Sequence, residues 1–218
     1  MSEKRKLSRR DFLKIGAGAA GVATLSCTGL TAIALDGPEI EYYEGNYQGE
    51  TQMSKNILVA YASRAGSTGE VAQAIGEVLN SNGSSVDVML VKDIKDLSQY
   101  QAVVLGSAIR IGSWLPEAKK FVENNKQILG QVPTAYFTVC MTLQEDTPET
   151  RKEVETFLAP VHAVMEPVDA GYFAGVADFS KLNFLERKMG QWAGMSEGDY
   201  RDWDAIRAWA QNLETKIL

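Results

Sequence analysis

The stretch from Ser63 to Thr68 combines three hydroxyls, one guanidinium and one glycine within six residues. Hydroxyl groups and backbone N–H groups in such a short loop are suitable donors for the oxygens of a phosphate. An apolar run at 57–59 precedes the loop, and apolar residues at helical spacing follow it from Val71 to Leu79. Because the first N–H groups of a helix have no partners within the helix, this strand–loop–helix pattern predicts a phosphate-binding site.

The spacing of this loop excludes two common nucleotide-binding motifs. A P-loop requires Gly-Lys-Ser/Thr, and a dinucleotide fingerprint requires three spaced glycines. Instead, the loop and its flanks resemble the phosphate signature of the flavodoxins through Tyr61, Ser63, Gly66, Thr68 and Ala72. The resemblance implies that the loop binds the phosphate of FMN. The alternative is a hydroxyl-rich turn that only caps a helix.

The elements that position the loop alternate between strand and helix. Further strands are predicted at 86–91, 101–108, 132–140 and 165–174, and further helices at 114–129, from about 147, and at 200–215. Such alternation is typical of a doubly wound α/β fold, a parallel sheet with helices on both faces. The flavodoxin resemblance implies five parallel strands in the order 2-1-3-4-5.

Three loops are expected to meet where these strands end, because ligands of such folds bind outside the carboxyl ends of the strands. Residues 63–68 would bind the phosphate, while 107–113 and 140–146 would flank a flat ring, with Gly106 and Gly112 allowing close approach of the backbone. The candidate cofactor-binding residues are Ser63, Arg64, Ala65, Gly66, Ser67, Thr68, Ser107, Ala108, Ile109, Arg110, Ile111, Gly112, Cys140, Met141 and Thr142.

Arg110 is the candidate for tuning the flavin. Beside the N1 edge of the ring, its charge would stabilise a reduced anionic flavin by about 4 kcal/mol at roughly 4 Å, before desolvation is subtracted. The alternative is a surface arginine paired with an acid. No other catalytic residue is assigned. Cys140 is interpreted as a small buried residue rather than a redox thiol, since no resolving cysteine accompanies it.

The front of the chain predicts export. Residues 8–14 (SRRDFLK) are similar to a twin-arginine signal, and the uncharged stretch 15–35 ends in a small-x-small cleavage pattern at 32–34. A cleaved signal peptide over 1–34 is expected first, an uncleaved membrane anchor second and lipidation at Cys27 third. The twin-arginine machinery carries folded cargo, so the resemblance implies a protein already loaded with its cofactor and delivered to the periplasm or another extracytoplasmic location.

The net charge and the small number of histidine and cysteine residues exclude several classes of ligand and partner. Residues 1–34 hold six of the 22 basic and two of the 28 acidic residues, so the remainder carries a net charge of −10. Nucleic acid is therefore an unsuitable partner, and anionic lipid would be repelled overall. With one histidine, and with Cys140 alone remaining once the signal is removed, no ligand set for zinc or haem is expected.

Two segments complete the predicted organisation. Residues 35–55 are polar, show no useful periodicity and are interpreted as a tether, which leaves 56–218 as the FMN-binding domain. The sequences at 106–125, 132–140 and 173–210 are similar to the flavodoxin-like, quinone-dependent protoporphyrinogen dehydrogenases. That resemblance implies FMN, a membrane quinone as acceptor, and an extra segment, present here at 177–198. Its porphyrin substrate does not carry over, because export removes the protein from the site of haem synthesis.

The extra segment has an amphipathic pattern: Leu182, Leu185, Met189 and Trp192 share one helical face. Residues 181–195 could therefore contact a membrane surface, cover the flavin edge, or pack as an ordinary turn on the domain.

Three hypotheses of function remain open. The first is an exported FMN oxidoreductase that passes electrons from an unidentified donor to a quinone or a redox protein. The second is a flavodoxin-type electron carrier without a substrate of its own. The third is a non-enzymatic binding module with a flavodoxin shape, which the intact hydroxyl set of the loop disfavours.

Overall fold

The computed structural model describes residues 40–49, 55–182 and 196–217, together with 184, 187, 188 and 190. The predicted twin-arginine segment lies outside these residues, as do Leu185, Met189 and Trp192 of the amphipathic face. Within the described part of the chain, no helix is both long and apolar enough to cross a membrane.

Strands and helices alternate along the chain after an initial short strand. The strands are β1 Gly45–Tyr47, β2 Asn56–Ala62, β3 Ser85–Leu90, β4 Ala102–Arg110, β5 Ser113–Trp114, β6 Thr134–Val139, β7 Ala170–Phe173, β8 Val176–Ala177 and β9 Gly198–Asp199. The helices are α1 Ser67–Ser81, α2 Pro116–Leu129, α3 Pro148–His162 and α4 Trp203–Ile217, with single 3₁₀ turns at Met141–Gln144 and Phe179–Lys181.

The main sheet has the order β1-β3-β2-β4-β6-β7, with β5 folded back on β4. The four pairings that join β3, β2, β4, β6 and β7 in this order are parallel. In the described chain this gives five parallel strands in the order 2-1-3-4-5, so the predicted flavodoxin-like α/β fold is confirmed.

Successive residues of the central strand β2 point to opposite faces of the sheet, and both faces are buried. Ile57, Val59 and Tyr61 pack in a cluster with α1 and α4, whereas Leu58 and Ala60 pack in a second cluster with α2 and α3. The alternation follows from the twofold repeat of a strand, and the continuous apolar run is what a strand covered by helices on both sides requires.

The segment predicted to be a tether is partly built into the sheet. Gly45–Tyr47 pairs antiparallel with β3, and the tyrosines at 42, 43 and 47 pack against the cluster beneath α1. The hydroxyl of Tyr61 donates a hydrogen bond of 2.6 Å to the carbonyl of Tyr43. The described residues 40–49 therefore differ from the expectation, because the unpaired edge of β3 and a buried tyrosine hydroxyl both find their partners there.

The fifth parallel strand is shorter than predicted, beginning at Ala170 rather than at residue 165. The N–H of Met165 donates to the carbonyl of Val161 at the end of α3, and Pro167 has no N–H to donate. Both features delay the return of the chain to the sheet.

Gly106 lies in the middle of β4, and its absent side chain makes room for an aromatic ring. A β-carbon built at this position would lie 1.9 to 2.4 Å from ring atoms of Phe137 on the neighbouring strand. The sequence analysis expected Gly106 to admit a cofactor ring, but the close approach here is to the ring of a core residue.

Replacing Gly106 with alanine is expected to lower the free energy of unfolding by about 2 to 3 kcal/mol, because the added methyl group overpacks a closed core. Urea denaturation of the purified chain measures the change. The matched control is the double variant G106A/F137L, in which the smaller side chain should recover part of the loss. Additive losses in the double-mutant cycle would contradict the steric explanation.

Candidate functional site

The three loops singled out by the sequence leave the same edge of the sheet. They follow β2, β4 and β6, which are adjacent and parallel, so their carboxyl ends point the same way. Gly175 lies close to residues of two of these loops. A β-carbon at this position would lie 3.7 Å from Ser67 Oγ and 3.8 Å from Met141 Sδ. The structure thus brings the loop before α1 and the turn after β6 around one point.

The loop from Ser63 to Gly66 is folded by its own donors. The hydroxyl of Ser63, a buried residue, accepts a 3.0 Å hydrogen bond from the N–H of Gly66. Gly66 then adopts a φ of 89°, a conformation that side chains other than glycine rarely accept. The chain enters α1 directly at Ser67, and no described side chain caps the helix.

The carbonyl of Gly66 accepts hydrogen bonds from the N–H groups of Gly69 and Glu70. The N–H groups of Ser67 and Thr68 precede this first turn of helical bonds and are the orphan donors typical of a helix start. An anion at this helix start would be stabilised by these donors and by the helix dipole.

The hydroxyl of Thr68 adds a second and independent feature. Thr68 is 1% exposed, and its Oγ1 lacks a hydrogen-bond partner among the described residues. An unpaired buried hydroxyl is unfavourable by about 1 to 3 kcal/mol, and such groups in folded proteins call for an explanation. A phosphate oxygen at the start of α1 would provide the missing partner, so the residues present fit a phosphate-bearing cofactor.

The side chain of Arg64 forms an ion pair with α2 rather than extending over the start of α1. Its guanidinium is 3.1 Å from a carboxylate oxygen of Glu117 in the first turn of α2, and its side chain is half-exposed. The ion pair ties the loop to α2, while the backbone of Arg64 and Ala65 remains part of the loop.

The second loop forms a β-hairpin over residues 109–114. Ile109 pairs with Trp114 and Arg110 with Ser113, and the two turn residues, Ile111 and Gly112, have φ angles of 51° and 66°. Two consecutive positive φ values match the tight turn that suits a twisted hairpin. Arg110 lies exposed at the end of β4, directly before this turn.

Two polar side chains in or beside the hairpin use their hydrogen-bonding groups within the protein. The fully buried hydroxyl of Ser107 accepts from the N–H of Leu115 at 3.1 Å and donates to the carbonyl of Ala108 at 2.9 Å. The indole N–H of Trp114 donates to Thr138 Oγ1 at 2.9 Å inside the core. Ser107 can therefore offer a ligand only its backbone, and Trp114 packs against the sheet.

The third loop begins at Cys140, which is 5% exposed. Burial raises the pKa of its thiol to about 11, so the group is protonated at neutral pH and is a poor nucleophile. This agrees with its interpretation as a small buried residue. Met141 and Thr142 follow in the 3₁₀ turn and are half-buried.

The sequence analysis missed the residues that cover Gly66. At the position of its β-carbon, the nearest atoms are a methyl of Ile40 at 3.5 Å, the carbonyl oxygen of Glu41 at 3.6 Å and Nζ of Lys181 at 3.8 Å. These residues lie far from the loop in sequence and belong to no motif, so nothing in their spacing indicated the approach. Lys181 belongs to the extra segment, which starts and ends in the paired strands β8 and β9.

The extra segment is described only in part. Phe184 is 65% exposed, and Lys188 lies over its ring at 6.0 Å.

Comparison with protein families gives two matches. The model of the Flavodoxin domain matches residues 58–203, and that of the TAT (twin-arginine translocation) pathway signal sequence matches residues 6–26.

Two relatives carry the same description. Protoporphyrinogen IX dehydrogenase (quinone) of Escherichia coli K12 is 24% identical over 170 residues, covering 72% of this chain and 93% of the relative. The protein of that description in Leishmania major is 27% identical over 175 residues, covering 73% and 75% respectively.

Solved structures with a similar backbone include a flavodoxin from the domain Archaea, with a TM-score of 0.44 and 18% identity over 74% of this chain and 98% of that one. Another is the flavodoxin of Streptococcus pneumoniae TIGR4, with a TM-score of 0.47 and 16% identity over 74% and 99%.

Replacing Ile111 with asparagine is expected to raise the free energy of unfolding by about 1 kcal/mol, because a β-branched residue is strained at positive φ and asparagine is not. Little packing is lost, since Ile111 is 76% exposed. Thermal or urea unfolding of the purified chain measures the gain. Val168→Asn is the control, at an apolar residue that is 50% exposed without a positive φ. An equal gain at both sites, or none at Ile111, would contradict the strain.

Proposed function

The chain belongs to the Flavodoxin domain family, and from this premise we propose that it is an exported, FMN-dependent oxidoreductase. It passes electrons between a donor and a quinone or a redox protein. The family match supports the cofactor, and the match of residues 6–26 supports export by the twin-arginine route to the periplasm or another extracytoplasmic location.

The observation that carries the cofactor assignment is the unpartnered, buried hydroxyl of Thr68 at the uncapped start of α1. In the proposal, the hydroxyls of Ser67 and Thr68 and the backbone N–H groups of residues 64, 65, 67 and 68 hold the phosphate of FMN, while the N–H of Gly66 stays bonded to Ser63 Oγ. Residues 108–112 and 140–142 lie on either side of the ring, with Ser107 contributing backbone contacts only.

When bound, FMN supplies the transfer of electrons or hydride, while the protein provides binding, orientation and electrostatic tuning. Arg110 is the proposed tuning residue, since it ends β4 beside the hairpin turn. Its exposure to water screens its charge, so its effect falls below that expected for a dry ion pair.

The quinone part of the proposal is supported by the relatives, which are described as quinone-type dehydrogenases and are covered over 93% and 75% of their lengths. A redox protein is the alternative acceptor. Peripheral contact of residues 181–195 with a membrane would bring the protein to a quinone, and the exposed ring of Phe184 supports such a contact.

A flavodoxin-type carrier is the second candidate function. The loaded chain should be reduced stepwise without oxygen, and the electrons taken up in each step should be counted. Two-electron uptake together with reoxidation by a water-soluble quinone supports the oxidoreductase. One-electron steps with no turnover of quinone would favour the carrier and overturn the first proposal.

Replacing Thr68 with valine is expected to weaken FMN binding about tenfold or more, since a hydrogen bond to a charged group is lost. Stability of the flavin-free chain should not fall, because the hydroxyl has no partner to lose. Quenching of flavin fluorescence measures affinity, and urea unfolding measures stability.

The control is Thr138→Val, whose hydroxyl accepts the indole N–H of Trp114. That variant should lose stability instead, by about 1 kcal/mol or more. Unchanged affinity for FMN in the Thr68 variant would place the phosphate elsewhere.

A further inference from the structure

We propose that Lys181 is a further cofactor-binding residue, whose ammonium group pairs with the phosphate of FMN at the Gly66 turn. The inference rests on the proposed function, because it requires FMN at the loop. The extra segment would then contribute a positively charged side chain to the phosphate site. Neither the phosphate signature nor the three loops at the carboxyl ends of the strands includes this residue.

The position of the ammonium group is the first observation. Nζ of Lys181 lies 3.8 Å from the point where a β-carbon of Gly66 would stand, beside the loop that holds the orphan donors of α1. The same loop contains the buried, unpartnered hydroxyl of Thr68. A cation, a helix start and an unsatisfied hydroxyl at one loop are complementary to a single phosphate dianion.

The turn that carries Lys181 is held in place. Phe179 is 7% exposed, and its N–H donates to a carboxylate oxygen of Glu197 at 3.1 Å. Asp178 caps the turn by accepting from the N–H and hydroxyl of Ser180, and these bonds keep the pKa of Asp178 below its usual range. The side chain of Lys181 is thus presented from an anchored turn.

Both ends of the extra segment are attached near α1. Gly175, which precedes β8, approaches Ser67 Oγ, and the N–H of Tyr200 donates to the carbonyl of Gly175. After β9, the guanidinium of Arg201 bonds to Asp199 and to Glu70 in the first turn of α1. These contacts fix the distance between the segment and the phosphate loop.

The balance of charge favours this role. Residues 35–218 carry a net charge of −10, which opposes the binding of a dianion. Of the two cations at the loop, Arg64 is paired with Glu117. The ammonium of Lys181 forms no ion pair with a described residue. In the described part of the chain its charge acts on Asp178, whose pKa it helps to lower, and no ion pair there competes with a ligand.

The test compares two flavins that differ only in the phosphate. The full chain is freed of flavin and titrated with FMN and with riboflavin, and fluorescence quenching reports each dissociation constant. In K181Q the constant for FMN should rise about fivefold, the size expected of a partly exposed ion pair, while the constant for riboflavin stays unchanged. Added salt should weaken FMN binding less in the variant than in the wild type.

Two further variants serve as controls. K181R keeps the charge and should bind FMN almost as tightly as the wild type. K126Q removes the same charge from the last turn of α2, which leads into the start of β6 and so lies away from the carboxyl ends of the strands. This variant should leave both constants unchanged.

The proposal is overturned if K181Q binds FMN as tightly as the wild type, if it loses affinity for both flavins equally, or if K126Q loses as much. Any of these outcomes leaves the FMN assignment intact, provided that the wild type binds FMN. A wild-type chain that binds neither flavin would overturn the proposed function as well.

Discussion

The start of α1 is the feature on which the rest of the site depends. A helix leaves its first N–H groups without partners, and here no described side chain caps them. The chain instead turns at Gly66 with a positive φ and buries the hydroxyl of Thr68 without a partner. The uncapped N–H groups and the unpartnered hydroxyl are unfavourable for the protein alone, and an anion at the helix start would give both a partner. The candidate site is therefore a group of unpartnered hydrogen-bond donors at the start of α1, which a bound anion would satisfy.

The surrounding structure converges on this helix start. The segment 40–49 packs beneath α1 and brings Ile40 and Glu41 against Gly66, while the extra segment brings Lys181 to the same residue. A chain that follows an export signal thus continues into the sheet through β1. The described residues 40–49 therefore complete the fold around the phosphate loop.

The parallel strands themselves could be predicted because continuous apolar runs are local in sequence, whereas their order came from the flavodoxin resemblance, which rests on the phosphate signature. Three features could not be predicted. β1 is short and polar, and it forms only because the edge of β3 is available. The Ile111–Gly112 turn lacks the Asn-Gly or Asp-Gly pair that marks such hairpins, so the structural role of Ser107 stayed hidden. Lys181 reaches Gly66 only through tertiary packing, which no spacing of residues encodes.

The most direct measurement is the visible absorption spectrum of the full chain, produced in cells and purified without added flavin. The account predicts the near-ultraviolet and blue bands of a flavin, and release of one FMN per chain on denaturation. A colourless protein that also fails to take up added FMN would contradict the assignment of the helix start as a phosphate site, and with it the proposed oxidoreductase.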